Sequence, residues 1–414
     1  MRKKFFNFLP LGEFIILLVL ITCFLSKNSF AQSPRDFSSD KILVKFKEGV
    51  SMETREKVHK NLGTRVREKI NQLDVEIVEV PKDKTGEFID KFKKNPQIEY
   101  AEPDYVATAF ELTNDPGIIN NFQWGMYKVK AADASSSAWT YSKSDSSIKV
   151  AILDTGIDQD HEDLSSKIIA NQRNCTSSNT VDDLNRHGTH VAGIAAAVTN
   201  NELGVAGLGY NASLMNAKVL GDDGSGYYSW IANCLTWVAD NGAKVANMSF
   251  GGSFDSRTLK NAVDYAWKKG MIIVAAAGNS GNASPNYPAY YQNVIAVAAT
   301  DVNDAKPSWS SFGKWVDVAA PGVEIYSTFP NHSNVLGKSN YDYSSGTSMA
   351  TPHVAGLAAL VWTTSYSGTN SNVRRQIEAT ADKISGTGKY WAYGRINALK
   401  AVSTLGVYKT RNFK

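Results

Sequence analysis

The 414-residue chain predicts an α/β protein with a largely parallel central sheet and helices on both faces, preceded by a small α+β unit. Three observations predict it. After Phe122, apolar runs too continuous for half-exposed strands alternate with helical segments, the pattern of a sheet covered on both sides. Before that point, residues 41–110 show two-residue alternation interrupted by helical spacing. A composition of 43% hydrophobic and 20% charged residues fits folded units rather than a disordered or fibrous chain. At this length, a leader and two folded units are the natural division.

Taken in order, Arg2, Lys3 and Lys4 precede an apolar run from Phe14 to Leu25, and Ser29-Phe30-Ala31 forms a small-residue exit. Residues 1–31 therefore read as an export signal cleaved after Ala31, and the mature protein as secreted, extracellular and without stable membrane association. The run is short for a membrane span of about 20 residues, and Cys23 lies inside it, where a lipid-attachment cysteine does not fit. Removal of the signal leaves Cys175 and Cys234. In an oxidising compartment they form a disulfide, or one is a loop thiol and the other a buried helix thiol; the sequence leaves both open.

Within 41–110, Lys41–Lys47 alternates as a strand, 52–62 is helical, and Val75–Val80 alternates again. Phe88, Ile89 and Phe92 share a helix face, and Ile98–Val106 closes as a strand, so the order suggests an open-faced, ferredoxin-like sheet. Residues 113–405 form the larger domain. Its expected strands are Ile148–Leu153, Ser213–Leu220, Val245–Phe250, Met271–Ala277 and Val294–Ala299, with helices from His187, over 227–241 and over 258–269. A net charge of +4 over this length, with no long like-charge block, points away from a nucleic-acid partner.

Four segments carry chemistry. Asp154 ends an apolar strand before Thr155-Gly156, and His187 opens a helix reading His187-Gly-Thr-His190. Gly278-Asn279 follows another apolar strand, and Ser348 sits where Gly346-Thr-Ser348-Met enters a helix. Functional groups of open α/β sheets gather at strand carboxyl ends. Singly, these residues read as a turn former, a structural histidine, a turn amide and a helix cap. Jointly they supply a nucleophile, a base, a carboxylate to orient the base and an amide donor for an oxyanion.

The strings DTG, HGTHVAG, AAAGN and GTSMATPHVAG resemble the subtilisin-like serine proteases (the subtilase family), its thermitase-like members above all. The resemblance covers 113–403 and implies a serine endopeptidase acting on polypeptides, a monomer when mature. It implies that Asp154 orients His187, that His187 is base and then acid for Ser348, and that Asn279 and the Ser348 N–H form the oxyanion hole. Gly224-Ser225-Gly226 and Ser249-Phe250-Gly251-Gly252 are the expected substrate walls. Ser249–Gly251 with Ala276, Ala277 and Gly278 would line the pocket for the residue preceding the scissile bond (P1). Ser280 stands where some relatives carry an acid, so apolar or aromatic P1 residues and broad specificity are expected.

The same resemblance implies calcium, held by the side chains of Asp115, Asp163 and Asn201 and the carbonyls of Val198, Leu203 and Val205. A second calcium loop departs from the family pattern over 173–185 despite Asp182 and Asp183, and a Cys175–Cys234 bond could tie that loop down in place of a metal. The 41–110 unit resembles the family's inhibitory propeptide, its last segment Ala107–Leu112 lying in the cleft until autocleavage near Phe110–Thr113. Two other classes are weaker. A catalytically silent binding protein need not keep all four residues. A zinc hydrolase built on His187 and His190 would want i, i+4 spacing and an adjacent Glu, which the chain lacks.

Overall fold

The computed structural model describes residues 37–106, 112–133, 136–335, 337 and 340–403. The expected signal (1–31), most of the cleft-binding segment (107–111) and the polar tail lie outside them. No helix among the described residues is long and apolar enough to cross a membrane.

The N-terminal unit runs β1 (Phe37–Phe46), α1 (Met52–Leu62), β2 (Arg65–Ile70), β3 (Val75–Glu79), α2 (Thr85–Lys93) and β4 (Ile98–Tyr105). Its strands form an antiparallel sheet in the order β2-β3-β1-β4. The sequence predicts every element but β2. That strand lies at the sheet edge with most of its side chains exposed, so no apolar alternation marks it. With β2 in place the order is the full βαββαβ of the ferredoxin-like arrangement. One face is buried by Ile42, Val44 and Phe46 against Val58, Phe88 and Phe92.

The larger unit begins with three short helices, α3 (Pro116–Ile119), α4 (Trp124–Lys128) and α5 (Ala138–Tyr141). Alternating strands and helices follow: β5 (Lys149–Asp154), β6 (Arg173–Asn174), α6 (His187–Ala196), β7 (Ser213–Lys218), α7 (Tyr228–Asp240), β8 (Val245–Met248), α8 (Arg257–Lys268), β9 (Ile272–Ala276) and β10 (Ile295–Thr300). Beyond them lie β11 (Val318–Pro321), the hairpin β12 (Ile325–Phe329) and β13 (Asn340–Ser344), α9 (Thr347–Trp362), α10 (Asn370–Thr380), β14 (Gly394–Arg395) and α11 (Ala398–Ser403). Eight strands pair in parallel in the order β14-β11-β10-β9-β8-β5-β7-β6.

Both faces of this sheet are covered, as the uninterrupted apolar strands require. Along β5, Val150 and Ile152 enter one core with residues of α6 and α9, while Ala151 and Leu153 enter a second with residues of α7 and α8. The same alternation recurs along β9. Strand ends and helix starts thereby converge at one edge, where the candidate site lies.

Candidate active site

Asp154 is the last residue of β5 and is fully buried. Its Oδ1 accepts the Thr155 N–H at 2.8 Å and lies 2.7 Å from His187 Nδ1. His187 opens α6, which approaches β5 closely because residue 188 is glycine: a Cβ there would stand 2.0 Å from the Gly156 carbonyl oxygen. The imidazole keeps 23% of its side chain exposed. Burial lowers its pKa, but the charge of Asp154 and the hydrogen bond to it outweigh that, and the net shift is upward. The imidazolium is thus favoured beside its carboxylate, as a base that must accept a proton requires.

Asp183 holds that helix start, and sequence reasoning, which weighed it only as a metal ligand, missed this. Its buried carboxylate accepts from the Asn185, Arg186 and Thr189 N–H groups and from the Thr189 and Thr155 hydroxyls. A single side chain therefore joins the residue after Asp154 to the helix carrying His187. The fully buried Lys218 donates to the carbonyls of Thr155 and Asp182 and pairs with Asp222 at 2.8 Å.

Ser348 lies in the first turn of α9. Its hydroxyl donates to the Ser249 carbonyl at 2.7 Å, and the Ser249 hydroxyl donates back to the Ser348 carbonyl at 2.9 Å. The expected hydrogen bond to His187 is therefore not made in this state, a common condition before substrate binds. Asn279 lies three residues beyond β9. Its Oδ1 accepts both the N–H and the hydroxyl of Thr347 at 2.9 Å, which fixes the amide so that Nδ2 is the face left over. Gly278 N–H donates to the same Thr347 hydroxyl at 3.1 Å. Thr347 is thus a clamp on Asn279, legible in the sequence only as the residue before Ser348.

The expected walls lie around these groups. Gly224 and Ser225 belong to a turn in which Gly221 N–H donates to the Ser225 carbonyl at 2.7 Å, and Gly226 follows it. In the other wall Gly252 has both backbone groups paired with Tyr287, at 2.9 and 2.8 Å, so it anchors the wall rather than offering an edge. Phe250 is half-buried between Ser249 and the exposed Gly251. Between Gly251 and the Ala276–Gly278 strand end stands Asn286, whose Nδ2 donates to the Ala276 carbonyl at 3.1 Å. A Cβ at Gly251 would lie 2.0 Å from that nitrogen. Asn286 gave no sequence signal. Asp255 lines the adjoining cleft with Ser280 and Tyr287, a carboxylate that was not anticipated there.

The six expected calcium ligands come together. Asp115 and Asp163 are fully buried. Asp115 does not cap the helix it precedes. Its Oδ1 accepts the Asn200 N–H at 2.8 Å, and its Oδ2 has no partner. Asp163 accepts from Asn201 Nδ2 and the Val205 N–H, both at 2.8 Å. Among the described residues, no hydrogen bond uses the carbonyls of Val198, Leu203 or Val205. Burial, aided by the Asp115 charge, pushes Asp163 up to about 7, and burial raises Asp115 as well. Two buried carboxylates with an orphaned oxygen, an amide and three free carbonyls fit a hard, oxygen-liganded cation.

The 173–185 loop is built differently. A disulfide joins Cys175 to Cys234 of α7. Asp182 accepts the Gln159 and Asp183 N–H groups and lies near Asp158 and His332. His190 donates Nε2–H to the Ile325 carbonyl at 3.0 Å, and burial pulls its pKa down to about 3. It is a structural histidine, which removes the two-histidine zinc arrangement.

A carboxylate–imidazole pair, with a helix-start serine and a clamped amide in the same domain, fits the class of a serine hydrolase. Residues 145–397 match the subtilase (peptidase S8) family, and residues 26–104 match the fervidolysin N-terminal prodomain. The chain is 51% identical over 289 residues to thermitase of Thermoactinomyces vulgaris, covering 70% of this chain and 98% of that protein. It is 44% identical to the thermophilic serine proteinase of Bacillus sp. (strain AK1), covering 87% of each. A solved structure described as proteases from Pseudoalteromonas arctica PAMC 21717 superposes with a TM-score of 0.63 at 31% identity, over 71% of this chain and 99% of that one. The chain belongs to the subtilase family: it is a serine endopeptidase with an N-terminal prodomain, and hence a zymogen.

Proposed function

We propose that this endopeptidase is secreted, calcium-stabilised and broad in specificity, and that it matures by its own cleavage. In this reading residues 1–31 are the signal, 41–110 the inhibitory prodomain and 113–405 the catalytic domain. Asp154 orients His187, which takes the Ser348 proton as the hydroxyl attacks the scissile carbonyl and then passes it to the leaving amine. The Asn279 Nδ2 and the Ser348 N–H hold the oxyanion. A peptide N–H arriving on the Ser249 carbonyl would release the Ser348 hydroxyl from it. The observation that carries the reading is the 2.7 Å His187–Asp154 hydrogen bond, in the domain that presents Ser348 at a helix start.

Calcium would be held by Asp115, Asp163, Asn201 and the carbonyls of Val198, Leu203 and Val205. Bound there, it supplies a crosslink between the segment before Pro116 and the loop after α6, and takes no part in proton transfer. Asn286 beside Gly251 and Gly278 leaves a neutral slot, which supports apolar and aromatic P1 residues; peptides with Phe or Lys at P1 test whether Asp255 intervenes.

Casein and chromogenic peptides, with N-terminal sequencing of the product, test the assignment of the nucleophile. Ser348→Ala should lower kcat on the order of 10⁶-fold and leave the prodomain uncut. Self-processing by the purified variant would refute the assignment. Asn279→Leu should lower kcat by about 10²–10³-fold with KM little changed, since its amide acts on the oxyanion and not on bound substrate.

A further inference from the structure

Arg186, the residue immediately before His187, has φ at 110° and ψ at −23°. Side-chain-bearing residues avoid this backbone region, and such outliers concentrate where function retains them. Glycine would occupy it freely.

The side chain is placed as unusually as the backbone. Its guanidinium carbon stands 5.7 Å from the centre of the Phe329 ring, and Nη1 lies 3.5 Å from Ser344 Oγ. Nε is buried with no hydrogen-bond partner. The ion pairs of the described residues do not include Arg186. Asp183 and Asp342 are the acids whose charge reaches it. Both Asp183 oxygens are taken by the α6 start, and Asp342 Oδ1 accepts the Tyr343 N–H at 2.7 Å.

Direction follows from the neighbours. Asn185 turns toward the Gly224 wall, its Nδ2 donating to the Asp222 carbonyl at 3.1 Å. Arg186 turns instead toward the β12–β13 hairpin, which packs on α6 through the Ile325, Ser327 and Thr328 contacts with His190 and Thr189. The two side chains thus leave His187 in different directions: Asn185 toward the expected wall at Gly224, whose companion wall lines the expected P1 pocket, and Arg186 toward the hairpin that leads into Ser348. We propose that Arg186 is a specificity-determining residue for the leaving-group half. Its guanidinium takes a carboxylate side chain within the first two residues after the scissile bond. Guanidinium and carboxylate match as a planar fork, and a partly desolvated site strengthens the pairing. The inference rests on the proposed triad and on the expected substrate walls and P1 pocket.

Internally quenched peptides test it, sharing one acyl half and carrying Glu, Gln or Lys at the first and second positions after the cut. The enzymes are the wild type, Arg186→Gln and Arg186→Gly. Wild type should favour Glu over Lys in kcat/KM by about fivefold, the scale of one partly exposed charge pair. The ratio should fall toward one in both variants, and in wild type on adding salt. Arg186→Gly should also raise the unfolding temperature, whereas Arg186→Gln keeps the backbone strain and isolates the charge. A Glu-to-Lys ratio identical in all three enzymes overturns the inference while the protease assignment stands. Failure of the wild type to cut any of the peptides would overturn the assignment itself.

Discussion

Two buried carboxylates, Glu76 in the N-terminal unit and Asp163 in the catalytic domain, meet opposite fates. Burial alone would raise the pKa of Glu76, but His59 and Arg55 outweigh it, and the net shift is downward. Their contacts are 2.8 Å from His59 Nε2 and 3.4 Å from Arg55 Nη1, and Arg55 is shared with Asp74. Asp163 accepts from two amide donors with the Asp115 carboxylate near it, and burial pushes it up to about 7. The prodomain carries its cations inside its own sequence. The catalytic domain leaves a carboxylate cluster that the proposed calcium would complete.

Chelation should therefore separate the two units. In the uncut Ser348→Ala protein, which cannot digest itself, calcium at a thousand times its dissociation constant should stabilise the catalytic domain by about 4 kcal/mol. Excess chelator should lower that domain's unfolding temperature and leave the prodomain transition in place. Equal losses in both transitions, or in neither, would remove the distinction.

The converse substitution, Glu76→Gln, should unfold the prodomain first. Taking away a buried charge partner costs about 3 kcal/mol, because the cations left behind are no longer compensated. Calorimetry should show the catalytic transition unmoved, and a shift of both would mean that the network supports more than the prodomain.

The pH dependence is the most diagnostic effect, since the two carboxylates give pH slopes of opposite sign. Glu76 has a depressed pKa, so its contribution is present above the unfolded value of about 4.3 and is lost as pH falls through the folded one. Asp163 without calcium has a raised pKa: stability is greatest below about 3.9 and declines as pH rises toward about 7. The slope is at most about 1.4 kcal/mol per pH unit, and calcium should abolish it. Melting curves from about pH 2 to 8 in chelator and in calcium would show both slopes. A catalytic-domain slope unaffected by calcium would place the cation elsewhere.

Much of this molecule is legible in its sequence because the signals are local. A short apolar run such as Val150–Leu153 announces a covered strand, and the next residue, Asp154, is the proposed orienting carboxylate. His187, Asn279 and Ser348 were legible for the same reason, each within two residues of a glycine near an element boundary. β2 was not, because an edge strand facing solvent has no apolar period to display.

Chemical composition of the candidate site was therefore set by sequence: the proposed nucleophile, base, orienting acid and oxygen ligands stand in recognisable strings. Tertiary structure alone decided how they are used. It turned the Ser348 hydroxyl onto Ser249, clamped Asn279 with Thr347 and made Asp183 the brace of α6. It also stood Asn286 beside Gly251, closed Cys175 onto Cys234, and held Arg186 at a φ that its residue type gives no reason to expect. These are pairings between segments distant in the chain, or backbone angles imposed by such pairings. They follow from how close packing brings segments together, and close packing leaves no period in the sequence.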